Sequence, residues 1–150
     1  MKKIILLLTL LSFFFSCSDN GFNNSNPYIP NYNFSIAIDM NSVDNSKLLY
    51  MNNAIYDSRG GVRGIYIFNT GSGYNAFDAT CPNQVLSSCS ILHFKNSDSI
   101  DPLKIDYAYL VCPCDGAEYF LYSGQSPGKQ YPLKQYRVVN MGNNELRVSN

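Results

Sequence analysis

The stretch Val111–Gly124 reads VCPCDGAEYFLYSG and places Cys112 and Cys114 on either side of a single proline. A small, flexible segment follows, and then the aromatic segment Glu118–Tyr122, whose composition is typical of a strand. Upstream, residues 79–83 read ATCPN and carry another cysteine next to a proline. Two cysteine-bearing loops, each beside strand-like sequence, are the pattern from which the fold is predicted.

These loops resemble the cluster-binding loops of Rieske iron–sulfur proteins. In that family the second loop reads Cys-Pro-Cys-His-Gly-Ser and the first reads Cys-x-His, so Cys112 and Cys81 match two cysteine ligands of a [2Fe–2S] cluster. The resemblance continues past the second loop to Leu133, Tyr136 and a closing hairpin, and therefore covers most of the chain. It implies three stacked antiparallel β-sheets, as a sandwich or partly open barrel, with both loops at one tip.

The two histidine ligands of the family pattern are absent. Asp115 holds the position in the second loop and Asn83 holds it in the first. A neutral amide is a poor ligand for iron, and without both histidines one iron has no matched protein ligand. The sole histidine, His93, lies farther from Cys81 than the motif allows and is interpreted as a packed or surface residue. The resemblance therefore predicts a domain without a cluster; if a metal is bound, Cys81 and Cys112 are its expected ligands.

Cysteine pairing is expected if the domain lies in the oxidising cell envelope. Four cysteines remain after position 17, and four cysteines allow three connectivities. The Rieske resemblance selects one of them, because the loop–loop disulfide of that family maps onto Cys89 and Cys114. This leaves Cys81 and Cys112, which bind the same iron in the family, to form a second bridge. Two disulfides are thus expected to hold the loops together where the family has a cluster.

The N-terminus has the pattern of a bacterial lipoprotein signal. Two lysines precede the apolar run Ile4–Leu11, and the small residue Ser16 stands directly before Cys17. This run is too short for a transmembrane helix. An ordinary cleaved signal would leave Cys17 as an odd thiol in an oxidising compartment, whereas a lipid anchor explains it. We therefore predict a signal peptide over 1–16, lipidation at Cys17, and an envelope location in the outer membrane, facing the periplasm or the surface.

The segment after Cys17 is rich in Asn, Ser, Pro and Gly and has neither helical nor strand periodicity. Residues 17–33 are therefore predicted to form a lipidated flexible tether. Residues 34–150 are predicted to form one β domain, since about 115 residues is the size of an ordinary domain.

Short apolar runs between Gly, Pro and Asn turns predict an all-β domain without a convincing helix. The predicted strands are 34–38, 48–56, 63–69, 74–78, 105–111, 118–122, 133–140 and 145–148, and the second of them is interrupted by Asn52-Asn53. Hairpin turns are predicted at 71–73 and at 142–144.

The charge composition is balanced, with 11 basic and 11 acidic side chains and a formal net charge of zero. It gives no indication of the basic surface that a nucleic-acid-binding protein needs. Our main functional hypothesis is a non-enzymatic lipoprotein, held at a membrane by its lipid, that has no cofactor. It would bind a protein or a small molecule through a tip made of Pro82-Asn83 and Asp115-Gly116.

Two alternatives belong to other functional classes, and a zinc site is a structural variant of the main hypothesis. An electron-transfer protein, of the oxidoreductase type, would keep a [2Fe–2S] cluster through unusual ligands. A thiol–disulfide enzyme would use Cys112 and Cys114, but these lack the Cys-x-x-Cys spacing at a helix start that lowers the pKa of a thiol. A zinc site of four cysteines is disfavoured, because the spacing of Cys112 and Cys114 is tighter than the usual chelate.

Overall fold

In the computed structural model, which describes residues 25–96 and 105–150, the chain forms nine β-strands and one short 3-10 helix. The strands are β1 (Ser35–Asp39), β2 (Ala54–Asp57), β3 (Ile65–Asn69), β4 (Tyr74–Asp78), β5 (His93–Asn96), β6 (Ile105–Val111), β7 (Glu118–Phe120), β8 (Gln135–Gly142) and β9 (Glu145–Ser149), and the 3-10 helix spans Ser46–Leu49. The predicted signal peptide, Cys17 and the tether before residue 25 lie outside the described residues. Among the described residues, no helix is long and apolar enough to span a bilayer.

The strands form two antiparallel sheets. One has the order β1-β9-β8-β4-β3-β2 and the other the order β5-β6-β7. Strand β8 links two three-stranded units, because Gln135 and Tyr136 pair with β4 while Arg137 and the residues after it pair with β9. The predicted all-β fold of stacked antiparallel sheets is therefore confirmed, but two of the three expected sheets are continuous through β8.

Strand β3 is buried on both faces and separates two hydrophobic cores. Tyr66 and Phe68 belong to the core that packs against β6 and β7. Ile65 and Ile67 alternate with them and belong to the core that packs against β1, β8 and β9. Because strand side chains alternate between faces, one apolar strand serves both cores. The first of these cores contains Cys81 and Cys112 and so supports the candidate functional site.

The predicted hairpin turns are present. Gly71, in the turn between β3 and β4, has φ +86°. Asn143 and Asn144, between β8 and β9, have φ values of 52° and 60°. Two successive left-handed residues are what a two-residue hairpin of the primed type requires, and asparagine tolerates this conformation better than most residues.

Two local predictions are corrected. The segment 48–56, predicted as a strand interrupted at Asn52-Asn53, is divided at that interruption: its first part is the end of the 3-10 helix and its last part is β2, with a left-handed residue, Asn52 (φ 63°), between them. The side-chain amide of Asn69 donates to the carbonyl oxygen of Leu48 (2.7 Å) and so holds the helix against β3. Strand β5 was not predicted, because His, Lys and Asn are not strand-favouring residues; its pairing with β6 supplies the missing stabilisation.

The second half of the predicted tether is also corrected, because residues 26–33 pack on the domain. Ile29 is 1% exposed. The ammonium group of Lys134, itself 2% exposed as a residue, donates to the carbonyl oxygens of Ile29 (3.4 Å) and Pro30 (3.1 Å) and to the side chain of Asn31. One buried isoleucine and a few backbone carbonyls produce no periodic pattern, so this contact could not be predicted from the sequence. The folded unit therefore begins before Phe34.

Candidate functional site

Two loops meet where β4 and β6 end, and we call this region the cysteine tip: residues 79–92 and 112–117. Two disulfides join the loops. Cys81 is bonded to Cys112, with Cα atoms 5.7 Å apart, and Cys89 is bonded to Cys114, with Cα atoms 5.1 Å apart. These are the two pairs that the Rieske resemblance implies.

The two bridges differ in their surroundings. Cys81 and Cys112, the inner bridge, are 0% exposed and belong to the hydrophobic core. In the outer bridge, Cys89 is exposed and Cys114 is half-buried. The hydroxyl of Ser87 lies 3.3 Å from the sulfur of Cys89. A reductant in solution therefore has access to the outer bridge and not to the inner one.

The second loop is a tight turn stabilised by its own backbone. The N–H of Gly116 donates to the carbonyl oxygen of Cys112 (2.8 Å), and the N–H of Cys112 donates to the carbonyl oxygen of Ala117 (2.9 Å). Gly116 has φ +68°, a left-handed conformation that glycine adopts without strain. The turn fixes Cys114 and Asp115 in position.

Asn83, at the first histidine position of the family pattern, forms three hydrogen bonds with residues outside its loop. Its amide nitrogen donates to the hydroxyl of Tyr119 (3.0 Å) and to the carbonyl oxygen of Tyr131 (2.7 Å). Its amide oxygen accepts from the N–H of Tyr131 (2.9 Å). Tyr119 is fully buried, and burial raises the pKa of its hydroxyl although the Asn83 hydrogen bond opposes this. Asn83 thus connects the first loop to the core and to the segment around residue 131.

Asp115, at the second histidine position, is the centre of an ion pair. Its carboxylate accepts from the ammonium group of Lys129 (2.7 Å), the side-chain amide of Gln84 (2.8 Å) and the N–H of Ala117 (3.1 Å). Burial alone would raise the pKa of Asp115. The hydrogen bonds from Lys129, Ala117 and Gln84 outweigh it and hold the pKa below its usual value. Asp115 therefore ties together both cysteine loops and the segment that carries Lys129.

The sequence did not predict that the segment carrying Lys129 is part of this site. Lys129 and Tyr131 lie in the stretch between β7 and β8, whose glycines and prolines predict a loop but not the place where it folds. Their contacts with Asp115 and Asn83 join residues 14 and 48 positions apart in the chain. No local pattern indicates such pairings.

The predicted interaction tip needs a correction in its first loop. Pro82 is buried, and the amide of Asn83 is turned toward the two tyrosines rather than toward solvent. Exposed apolar side chains follow them in the same loop, with Val85 71% and Leu86 41% exposed. The other exposed positions of the tip include Pro113 and Gly116.

The donor set of the tip does not fit a [2Fe–2S] cluster. The sulfurs of Cys81 and Cys112 are bonded to each other, and the side chains at both histidine positions are engaged in hydrogen bonds or an ion pair. His93 is exposed on β5, opposite Val111 of β6. Within residues 25–96 and 105–150, no group of three or more His, Cys, Asp or Glu side chains is placed to hold a metal ion.

We expect the contribution of Asp115 to stability to depend on pH. Because its folded-state pKa is lowered, this contribution is present above the ordinary aspartate pKa of about 3.9 and is lost as the pH falls through the lower folded value. Asp115→Asn should therefore lower the urea midpoint more at about pH 7 than at about pH 3, where most of this contribution is lost. Asp44→Asn is the matched control, since Asp44 is exposed and forms no hydrogen bond or ion pair within the described part of the chain. The same loss for Asp115→Asn at both pH values would contradict the prediction.

Comparison with known proteins gives only distant likenesses. No protein family and no curated protein matches the chain. Among solved structures, it is similar to a chain in the complex of reduced oxygenase and oxidised ferredoxin of carbazole 1,9a-dioxygenase, at 17% identity over 66% of this chain and 82% of that chain, with a TM-score of 0.42. It is also similar to an NADH-dependent nitrite reductase small subunit from Mycobacterium tuberculosis, at 10% identity over 80% and 97% of the two chains, with a TM-score of 0.44. A nitrite reductase NADPH small subunit is 16% identical over 77% and 97%, with a TM-score of 0.43. Likenesses of this size assign no function.

Proposed function

We propose that the chain is a lipid-anchored protein of the bacterial cell envelope, in the outer membrane, whose β domain acts as a binding or accessory module. In this proposal two disulfides take the place of an iron–sulfur cluster, and the protein is not an electron carrier. The observation that carries it is the bond between Cys81 and Cys112 in the core.

The inner bridge consumes the two cysteines that the Rieske resemblance matches to one iron. A thiolate is the form of cysteine that binds a metal, and a cysteine in a disulfide cannot supply it. The bridge is also 0% exposed at both ends, so it is protected from reductants in solution. Metal binding would require this buried bond to be reduced first.

The side chains at the two histidine positions support the same proposal. Asn83 and Asp115 form hydrogen bonds or an ion pair that join three segments of the tip. When no cluster holds the loops together, residues that cross-link them stabilise the tip in its place. Asn83 and Asp115 do this at the positions of the two histidine ligands. The result is a preorganised loop surface, and such a surface binds a partner without first losing conformational entropy.

The electron-transfer alternative predicts that the purified protein contains iron, whereas our proposal predicts that it does not. A single preparation tests this difference. The protein is purified aerobically from membranes with thiols blocked at lysis, and its iron, zinc, visible absorbance and free thiols are measured. We expect a colourless protein with far less than one iron per chain and with no thiol at positions 81, 89, 112 and 114. About two irons per chain, with a rhombic electron-resonance signal after reduction, would establish the electron-transfer function instead.

A variant lacking the inner pair, Cys81→Ala with Cys112→Ala, is the matched control for that preparation. It removes the only two residues that we expect to hold a metal if one is bound. Its absorbance and metal content should equal those of the unmodified chain. A loss of colour or of iron in the variant would show that these cysteines hold a cofactor.

A further inference from the structure

The first described residues of the N-terminal segment lie at the cysteine tip. Asn26 donates through its side-chain amide to the carbonyl oxygen of Pro82 (2.9 Å), next to Cys81. The ring of Tyr28 packs edge-on against Tyr131, with centroids 6.0 Å apart. Both partners belong to the tip or are bonded to it, because Tyr131 pairs with Asn83. The chain that leads back to Cys17 therefore starts from this end of the domain.

The packed segment also shortens the chain between Cys17 and the domain. Besides the contacts of Ile29 and Lys134, the side-chain amide of Asn150 donates to the carbonyl oxygen of Tyr32 (2.8 Å), so residues 26–33 are held along the domain. A fully extended chain advances about 3.3–3.6 Å per residue, so the residues from 17 to 25 span about 30 Å at most. A tether that stayed free as far as residue 33 would have reached about twice as far.

The tip presents apolar side chains on a rigid loop. Val85 and Leu86 are 71% and 41% exposed. Their loop is fixed on one side by the outer disulfide at Cys89 and on the other by the hydrogen bond from Gln84 to Asp115 (2.8 Å). Rigid apolar residues at a loop end enter a lipid interface without an ordering cost, and the gain is the apolar area removed from water.

Exposed apolar residues occur elsewhere too, so exposure alone does not select the tip. Tyr50 and Met51 are 68% and 60% exposed. Met51 lies beside Gly71 in the β3–β4 turn, at the start of β4, whereas the cysteine tip follows the end of β4. The two apolar surfaces are therefore at opposite ends of this strand. Asn26 and Tyr28, among the first described residues, contact the tip or its neighbour Tyr131, so the tip is the surface at the end from which the chain leads back to Cys17.

From this arrangement we infer that the cysteine tip faces the bilayer and that Val85 and Leu86 dock into the lipid interface of the membrane that holds Cys17. The inference rests on the lipid anchor of the proposed function. Two side chains bind lipid weakly by themselves. A short tether keeps them at a high effective concentration near the surface, so weak insertion is enough to orient the domain.

The chain contains no tryptophan, so one introduced tryptophan is a specific fluorescence reporter. Val85→Trp places it at the tip, and Tyr50→Trp places a matched, similarly exposed reporter at the other end. Each lipidated variant is reconstituted into phosphatidylethanolamine/phosphatidylglycerol vesicles, with and without lipids brominated on the acyl chain. We expect the reporter at position 85 to emit at shorter wavelength and to be quenched by the bromine several-fold more than the reporter at position 50.

The outcomes separate the inference from the anchor. Equal quenching at both positions, or stronger quenching at position 50, on protein that sediments with vesicles overturns the docking of the tip and leaves the anchor intact. A Cys17→Ser variant cannot be lipidated at that position and serves as the soluble reference. Protein with Cys17 intact that, like this variant, does not associate with vesicles or with cell membranes overturns the anchor. A reporter at position 85 that is unquenched in vesicles but protected in native membranes would assign the loop to a protein partner and overturn lipid docking.

Discussion

Replacing both Cys81 and Cys112 with alanine is expected to lower the free energy of unfolding by about 4 kcal/mol. The outer bridge remains in this variant, so the unfolded chain is still closed between positions 89 and 114. The inner bridge then restrains only the short remaining segments, 81–89 and 112–114. The chain-entropy model assigns about 2.5–3 kcal/mol to a closed loop of roughly ten residues.

The loss of buried packing accounts for the rest of the expected decrease in the free energy of unfolding. Cys81 and Cys112 are 0% exposed and pack in the core that also contains Leu92, Leu110 and Tyr119. Alanine leaves the space of two sulfur atoms unfilled, and such cavities in a packed core cost about 1–2 kcal/mol in total.

The matched control is the outer bridge, removed as Cys89→Ala with Cys114→Ala. With the inner bridge intact, the outer bridge also restrains only the segments 81–89 and 112–114, so the entropic contributions of the two bridges are nearly equal. Because Cys89 is exposed and Cys114 is only half-buried, less buried space is lost there, and we expect about 2.5–3 kcal/mol. Urea denaturation of both variants measures the difference, and equal losses would show that burial of the inner bridge contributes nothing.

Replacing Asp78 with alanine should lower the free energy of unfolding by about 3–5 kcal/mol. Asp78 is 0% exposed, and its carboxylate accepts hydrogen bonds from the N–H of Val62 (2.7 Å), the N–H of Thr80 (2.8 Å) and the hydroxyl of Tyr136 (2.6 Å). Alanine leaves all three donors without a partner. An unsatisfied buried donor costs about 1–3 kcal/mol, and the three costs do not add fully.

Tyr136→Phe separates the loss of one donor from the loss of the acceptor. It removes only a hydroxyl, whose pKa is raised by burial and by the neighbouring Asp78, and leaves the backbone donors bonded. Its expected cost is about 1 kcal/mol. Thermal or urea unfolding of both variants makes the comparison, and a loss for Asp78→Ala no larger than that for Tyr136→Phe would refute the central role of this carboxylate. The loss of stability should extend to the cysteine tip, because Thr80, whose N–H binds Asp78, lies directly before Cys81 near the start of the first loop.

Local sequence predicted the strands and the position of the cysteine tip well. Alternating apolar residues, aromatic runs and the Gly-Asn-Asn turn at 142–144 are short-range signals, and the structure has strands or turns at those places. Exceptions arise where tertiary contacts outweigh propensity. β5 exists because β6 pairs with it, and Ile29 is held on the domain because Lys134 binds the carbonyl oxygens of Ile29 and Pro30.

The side-chain network of the tip could not be predicted in the same way. The sequence shows that Asn83 and Asp115 stand where histidines are expected, but not what they contact. Lys129 and Tyr131, which complete the network, carry no local signal of their role. Hydrogen bonds between distant loops depend on the completed fold, so they become visible only in three dimensions.

The interleaved pairing of the cysteines, 81 with 112 and 89 with 114, has a consequence for oxidative folding. In the exported protein that we propose, Cys81 and Cys89 leave the translocation channel before Cys112 and Cys114. The loop between the first two is short and closes sooner than the longer native loops, so an oxidant that acts during export forms the non-native bond Cys81–Cys89 first. Reaching the native pairs then requires thiol–disulfide exchange, which is slow without catalysis. If the chain is exported as we propose, we therefore expect its maturation to depend on a disulfide isomerase of the envelope.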